Sequence, residues 1–472
     1  MHAFRFSSWR ITCLAAALFA CCSVTSHAGI QEETIKFGNF GDVHIYRQSS
    51  QPEHVVLFVS GDEGWNPGVI DMARALTDLD ALVAGIDITT YFKRLAAAKQ
   101  ACSYPAADFE GLSQYLLKHY DFPDYVEPVL AGYSSGATLV YATLVQAPPN
   151  TFRGGISVEF CTDLPLTRPL CHGGGLQFKP GPGGKGYDFL PAANMQTPWF
   201  VFQGDIDQVC GTNVVERFVA QTGRAELIKL PNVAHSFFVQ REWMPQFKAS
   251  FNRLIENTHT APSAKPADLN NLPLIEVPVE HPGKIFAVII SGDGGWASID
   301  KSLAEALASD GIPTVGLDSL HYFWTKRTPD EAGRDLQAIL NHYFAIWHME
   351  KVLLIGYSRG ADVLPFMVSR LPEKLTARTA LIALLGAEHA VDFEFRVADW
   401  LPGSMKNAPY KVKPELEKLA GSRLLCVYGE DEPAPLCPDL DPKQVRLLRM
   451  PGGHHFGGDY KTLADHILRE AH

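Results

Sequence analysis

The chain is short of positive charge. Its 41 Lys and Arg stand against 52 Asp and Glu, a formal net charge of −11. A general nucleic-acid binder needs a basic face, so no nucleic-acid partner is expected. The same imbalance excludes simple electrostatic adhesion to anionic lipid, so a membrane partner would have to be engaged locally. No Cys-x-x-Cys pair or clustered Cys/His spacing occurs, which argues against a zinc centre, and no metal or cofactor is expected. The glycine-rich stretch Gly173–Gly186 lacks G-x-x-x-x-G-K-[ST] and does not join a strand to a helix. It reads as a surface loop, not a phosphate cradle.

What is present describes a globular protein, with 46% hydrophobic and 20% charged residues over a length that allows two or three domains. Arg5 and Arg10 precede a short apolar core, Ile11 to Val24, and Ser26-His27-Ala28 offers a small-residue cleavage site. The apolar run is too short for a comfortable membrane span. Residues 1–28 are therefore expected to be a cleaved export signal. A lipoprotein anchor at Cys21 is the alternative, to which Phe19 is poorly suited. Beyond Ala28 remain Cys102, Cys161, Cys171, Cys210, Cys426 and Cys437, an even number in an exported chain. Cys426 and Cys437 should pair if bridges stay within domains. For the other four, disulfides and buried thiols both remain open.

An internal repeat organises the chain. Val56-Leu-Phe-Val-Ser-Gly-Asp-Glu-Gly-Trp65 matches Ala287-Val-Ile-Ile-Ser-Gly-Asp-Gly-Gly-Trp296, and Tyr91-Phe92 matches Tyr322-Phe323 at the same offset of 231. Gly132-Tyr-Ser-Ser-Gly136 then matches Gly356-Tyr-Ser-Arg-Gly360 at an offset of 224. Two long copies of one plan imply two homologous domains. Each alternates short β-prone runs with helix-length segments, the mark of a mostly parallel sheet covered by helices. The expected class is α/β, with two tandem α/β-hydrolase-like domains at 29–258 and 273–472 joined by a linker at 259–272. In the second copy Ile285–Ser291, Thr314–Leu317, Val352–Ile355, Thr379–Leu385 and Arg423–Tyr428 read as strands. Ile299–Ser309 and Pro329–Trp347 read as helices, and Pro365 is expected to kink the helix after Ser358.

Gly356-Tyr-Ser-Arg-Gly360 lies between an apolar β-prone run and a helix-like segment, the context that G-x-S-x-G needs to act as a nucleophile elbow. A serine hydroxyl needs a base, and the base an acid, and in this fold class the order is Ser, acid, His. The second copy supplies Ser358, then Gly429-Glu-Asp-Glu432, then Pro451-Gly-Gly-His-His-Phe456. The first supplies Ser134, Asp207 and His235. Alignment of the copies pairs Asp207 with Glu432 and His235 with His455, while Asp431 and His454 stay open as alternatives. The oxyanion hole is expected from the amides of Arg359 and of the Gly292–Trp296 loop at Asp293. Trp296 reads equally as pocket wall or core residue.

Ser291-Gly-Asp-Gly-Gly-Trp296, Tyr322-Phe-Trp-Thr-Lys-Arg-Thr-Pro329, Gly356–Asp362 and His454-His-Phe456 together resemble the bacterial virulence protein VirJ/AcvB family. The resemblance covers essentially the whole second copy, and the exported two-copy layout is similar to the longer AcvB-type members. It implies an α/β-hydrolase working in the periplasm. The implied reaction releases lysine from lysyl-phosphatidylglycerol, with a link to virulence through type IV secretion components. Carried over by motif, Ser358 is the nucleophile and His455 the base, the acid being left open within Gly429–Pro433. For such a headgroup Asp293, Glu430 and Asp431 are available to two ammonium groups, and Arg359, Lys326 and Arg327 to the phosphate. The first copy has Ser135 in place of Arg359 and Glu63 in place of Gly294. It reads as a docking or regulatory domain with residual or different esterase activity.

Overall fold

The strands expected from the apolar runs pair as two separate sheets in the computed structural model, which describes residues 29–236, 240–256, 269–396 and 408–471. Residues 1–28, where the export signal and Cys21 are expected, and residues 257–268, which include most of the expected linker, lie outside these ranges. In chain order the first half contributes β1 (Gln31–Phe37), β2 (Gly41–Arg47), β3 (His54–Val59), β4 (Ala81–Ile86), β5 (Val129–Tyr133) and β6 (Gly154–Val158). There follow β7 (Asp163–Leu164), β8 (Phe178–Pro180), β9 (Tyr187–Phe189), β10 (Trp199–Gly204) and β11 (Ala225–Leu230). The second half contributes β12 (Leu274–Val277), β13 (Ile285–Ile290), β14 (Thr314–Leu317), β15 (Lys351–Tyr357) and β16 (Thr379–Leu385). The last are β17 (Ala390–Val391), β18 (Tyr410–Lys411), β19 (Leu424–Gly429) and β20 (Arg446–Met450).

The two large sheets run β1-β2-β4-β3-β5-β6-β10-β11 and β12-β14-β13-β15-β16-β19-β20. Strands from β4 to β11 and from β14 to β20 are parallel, and an antiparallel edge follows β4 and β14. The repeat in sequence is thus a repeat in topology. β15 is buried from Val352 to Tyr357 and has a parallel partner on each side, as a continuous apolar run in a helix-covered sheet requires. The helix Pro329–Ile346 starts where its sequence says it should. Thr328 caps the amide of Glu331, Glu331 caps Thr328 in return, and Pro329 takes the first helical position. Its buried face (Leu336, Ile339, Leu340, Tyr343) packs on the sheet. The helix Arg359–Val368 runs through Pro365, which has no amide to offer the preceding turn.

Trp296 is a core residue, only 7% exposed. It lies flat on Gly316 of β14, where an added Cβ would come within 2.2 Å of its ring, and Trp65 covers Gly85 of β4 in the same way. Gly316→Ala is therefore expected to destabilise the second domain by about 1–3 kcal/mol through overpacking. A thermal unfolding midpoint equal to that of the parent protein would disprove the close packing.

Gly173–Gly186 is more ordered than the expected surface loop. β8 and β9 form a hairpin edged by β7, with Gly183, Gly184 and Gly186 at positive φ in and after its turn. Among the described residues three disulfides are present, Cys102–Cys171, Cys161–Cys210 and the anticipated Cys426–Cys437. The two halves meet at Trp324. Its indole N–H donates to the carbonyl of Phe122 at 3.1 Å, and its own carbonyl accepts from Lys118 Nζ at 2.6 Å. Tyr125 and Phe395 pack on its ring. Among the described residues no helix is long and apolar enough to cross a membrane.

Candidate active sites

Both G-x-S-x-G segments form the same turn at the carboxyl ends of β5 and β15. Ser134 has φ 53°, ψ −122° and Ser358 φ 52°, ψ −121°, a left-handed conformation that a side chain resists unless its surroundings enforce it. The glycines are sterically required. A Cβ on Gly356 would lie 2.3 Å from the carbonyl oxygen of Gly360, and one on Gly360 2.0 Å from that of Ile290. Each serine amide donates to the end of the next strand, Ser134 to Val158 and Ser358 to Leu385. Ser135 and Arg359 then open the following helices with amides that have no intrahelical acceptor. With the amides of Asp62 and Asp293 they are the candidate oxyanion donors.

In the first domain the triad is closed. Ser134 Oγ lies 3.0 Å from His235 Nε2, and His235 Nδ1 lies 2.9 Å from Asp207 Oδ2. Asp207 accepts from the amides of Val209 (2.7 Å) and Cys210 (3.1 Å). Burial works against its charge, yet hydrogen bonds from Glu159, His235 and these amides bring it down to about 2. Glu159 is a residue that sequence reasoning missed, although it is fully buried beside the triad acid. It accepts from Gln203 Nε2 (2.9 Å) and from the amide of Gly204 (3.2 Å). Burial, then its hydrogen bond to Asp207 and that residue's charge, push its carboxyl up to about 10. Asp207, Cys210 and His235 lie close enough to share an ion. The Cys210 sulfur, however, is bonded to Cys161, and the other two residues bond each other.

In the second domain the acid joins a different histidine from the one expected. Glu432 Oε1 lies 2.5 Å from His454 Nδ1, whereas His455 Nδ1 lies 3.1 Å from the hydroxyl of Tyr357. Burial and the neighbouring His454 lower the pKa of His455. The reason lies in the loop. Tyr133 donates to the carbonyl of His235 and Tyr357 to that of His454, so the histidine is the third residue after Pro451 but the fourth after Pro231. Alignment on the proline alone is off by one. Among the described residues Ser358 Oγ has no hydrogen bond to either histidine. Asp431 is exposed and anchored by its amide to Gly452.

The two acid sites differ by a compensated exchange. Glu159 and Gly386 occupy equivalent positions, both at positive φ and each donating its amide to the adjacent strand. A Cβ at Gly386 would fall 2.7 Å from His454 Cε1. The amide of Gly204 is bound by Glu159, while that of Gly429 is bound by Glu432 itself at 3.1 Å. One longer acid replaces a pair of shorter reach.

Arg359 does not face a ligand. Its side chain is 1% exposed, paired with Asp293 and donating to the carbonyls of Asp392 (2.9 Å) and Glu394 (3.3 Å). In the first domain Ser135 Oγ donates to Asp62 at 2.8 Å, the same link with smaller groups. Glu430 is spent on Arg449 at the surface. Lys326 is exposed and Arg327 lies over the Tyr322 ring, and no contact joins either to Ser358 among the described residues. Glu388 was also missed. Partial loss of hydration raises its pKa, and His454, Asp293 and Glu432 lie within electrostatic reach of it. Its place just past β16, beside the nucleophile strand, was the available signal.

Residues 284–472 match the family of the bacterial virulence protein (VirJ). No curated protein sequence matches the chain. Among solved structures, the esterase domain of a Rhodothermus marinus protein is similar at 16% identity, covering 48% of this chain and 98% of its own, with a TM-score of 0.33. An α/β serine hydrolase without lid from Xanthomonas campestris is similar at 18% identity over 50% of this chain and 97% of its own (TM-score 0.32). Thermogutta terrifontis esterase 2 is similar at 14% over 50% and 98% (TM-score 0.33).

Proposed function

We propose, starting from a second domain that matches the bacterial virulence protein (VirJ) family, that this domain is a periplasmic serine esterase that releases lysine from lysyl-phosphatidylglycerol. The observation that carries the reading is the Ser358 elbow beside the Glu432–His454 pair. Glu432 holds the histidine with Nδ1 engaged, which leaves Nε2 as the base. Ser358 Oγ gives its proton to that nitrogen and attacks the lysyl carbonyl. The amides of Arg359 and Asp293 receive the oxyanion, and the glycerol oxygen leaves with the proton. Water, activated by the same nitrogen, then frees lysine and the serine. Glu388, with Asp293 beyond its bond to Arg359, supplies negative charge for the lysyl ammonium groups. The three disulfides suit an oxidising compartment. A role beside type IV secretion components rests on the family resemblance alone.

Lysine release from lysyl-phosphatidylglycerol vesicles tests the reading. Measured in a Ser134→Ala background so that Ser358 is read alone, the parent is expected to release lysine and added Ser358→Ala to lose at least about 10³-fold of that rate. Full release by Ser358→Ala would reject Ser358 as the engine. No release by the folded parent would reject the lipid, leaving a small-ester hydrolase or a binding protein.

A further inference from the structure

We infer that the first domain is a second, separate acyl-ester hydrolase centre, in which Ser134, His235 and Asp207 act on esters without an anionic acyl group and Glu159 is a positioning residue. The geometry goes further here than at Ser358, because both hydrogen bonds of the triad are made, at 3.0 and 2.9 Å. The amides of Asp62 and Ser135 stand at the same two places as those of Asp293 and Arg359, and the Ser135–Asp62 hydrogen bond ties their loops together. A domain kept only as scaffold has no need of a strained serine, a histidine aligned on it and a buried acid behind the histidine.

Glu159 has a definite task in this arrangement. Protonated, it donates to Asp207 while accepting from Gln203 and the Gly204 amide. Gln203 Nε2 also donates to Asp207 Oδ2 at 2.8 Å. The acid is thus fixed from several sides, with the Cys161–Cys210 bridge securing the loop that supplies two of its amide donors. With Glu159 protonated, the carboxylate charges that remain to bear on it and on neighbouring Tyr133 are those of Asp207 and Glu63. An acyl group carrying its own negative charge would be repelled, whereas neutral or cationic ones would not.

The reaction is ordinary ester hydrolysis. Ser134 Oγ bonds to the acyl carbon as His235 takes its proton, the alcohol leaves with that proton, and water resolves the acyl-serine to a carboxylic acid. The test uses the full mature chain carrying Ser358→Ala, so that its failure is distinguishable from failure of the lipid reading. A fluorophosphonate probe is expected to label Ser134, shown by peptide mapping, and adding Ser134→Ala should abolish the label. Hydrolysis of 4-nitrophenyl acetate should persist in the Ser358→Ala protein and fall at least 100-fold when Ser134→Ala is added. The carboxylate-bearing 4-nitrophenyl hemisuccinate should be turned over at least tenfold more slowly than the acetate.

Glu159→Gln keeps the volume but cannot both donate to Asp207 and accept from Gln203. It is expected to lower kcat on the acetate about tenfold or more with KM within about twofold. It should also flatten the pH dependence of unfolding. The folded chain holds the Glu159 proton to about 10, whereas an unfolded one releases it near 4.5. That contribution to stability is therefore full below about 4.5 and is lost as pH rises towards 10. An unlabelled Ser134 in a folded Ser358→Ala protein would overturn the second centre. A Glu159→Gln protein with unchanged kcat, or with kcat and KM altered together, would overturn the positioning role.

Discussion

His454→Ala is expected to reduce ester turnover at Ser358 by about 10³-fold or more, while His455→Ala stays within about tenfold of the parent. The two histidines are adjacent in the chain, and their environments separate them. His454 is the one that Glu432 orients, and its carbonyl is where the elbow tyrosine reaches. His455 bonds the Tyr357 hydroxyl, and burial and its neighbour His454 lower its pKa. Its removal costs a contact to Tyr357 and leaves the acid and base in place. Among the described residues no hydrogen bond joins Ser358 to His454, and such bonds are often long without substrate and tighten when it binds. Steady-state kinetics on a chromogenic ester, with Ser134→Ala in the background, reads Ser358 alone. If His455→Ala proved the inactive variant, the assignment would reverse.

The second large effect is on stability. Arg359→Ala is expected to destabilise the second domain by about 1–3 kcal/mol, because buried carbonyls lose their donor while Asp293, with a side chain 36% exposed, keeps its hydration. The guanidinium is sealed from water and serves Asp293 together with two carbonyls of the 392–394 segment. Removing it leaves those carbonyls without donors and frees the loop that presents the Asp293 amide, so kcat should fall as well. The double change Arg359→Ala with Asp293→Ala should cost less than the sum of the single changes, because the two groups share one interaction. Chemical denaturation provides the measurement. A loss below about 1 kcal/mol would mean that the guanidinium is replaceable by water.

This burial also bears on how the headgroup would be recognised. A cation directly after the nucleophile looks, in sequence, like a ready phosphate ligand. In the fold it points back into the protein and supports the oxyanion loop from beneath. Ser135 and Asp62 form a smaller version of the same support. Position 359 is therefore better understood as part of the frame that holds the amides than as a contact to substrate.

The sequence by itself determined the α/β class, the duplication, the two elbows and the Cys426–Cys437 bridge. These features rest on short-range rules. Parallel strands need continuous apolar runs, the elbow needs glycine where backbones touch, and a helix start needs its caps. Tertiary structure decided which histidine meets which acid, because a loop shorter by one residue shifts the pairing and no local rule counts residues across a gap. It decided the burial of Arg359 and the place of Trp296, since both depend on segments distant in the chain: Asp392 and Glu394 for one, Gly316 for the other. It also decided that Glu159 stands behind Asp207 although the two are 48 positions apart in the sequence. A buried carboxyl is recognised by the neighbours that desolvate it, and only the folded chain brings those neighbours together.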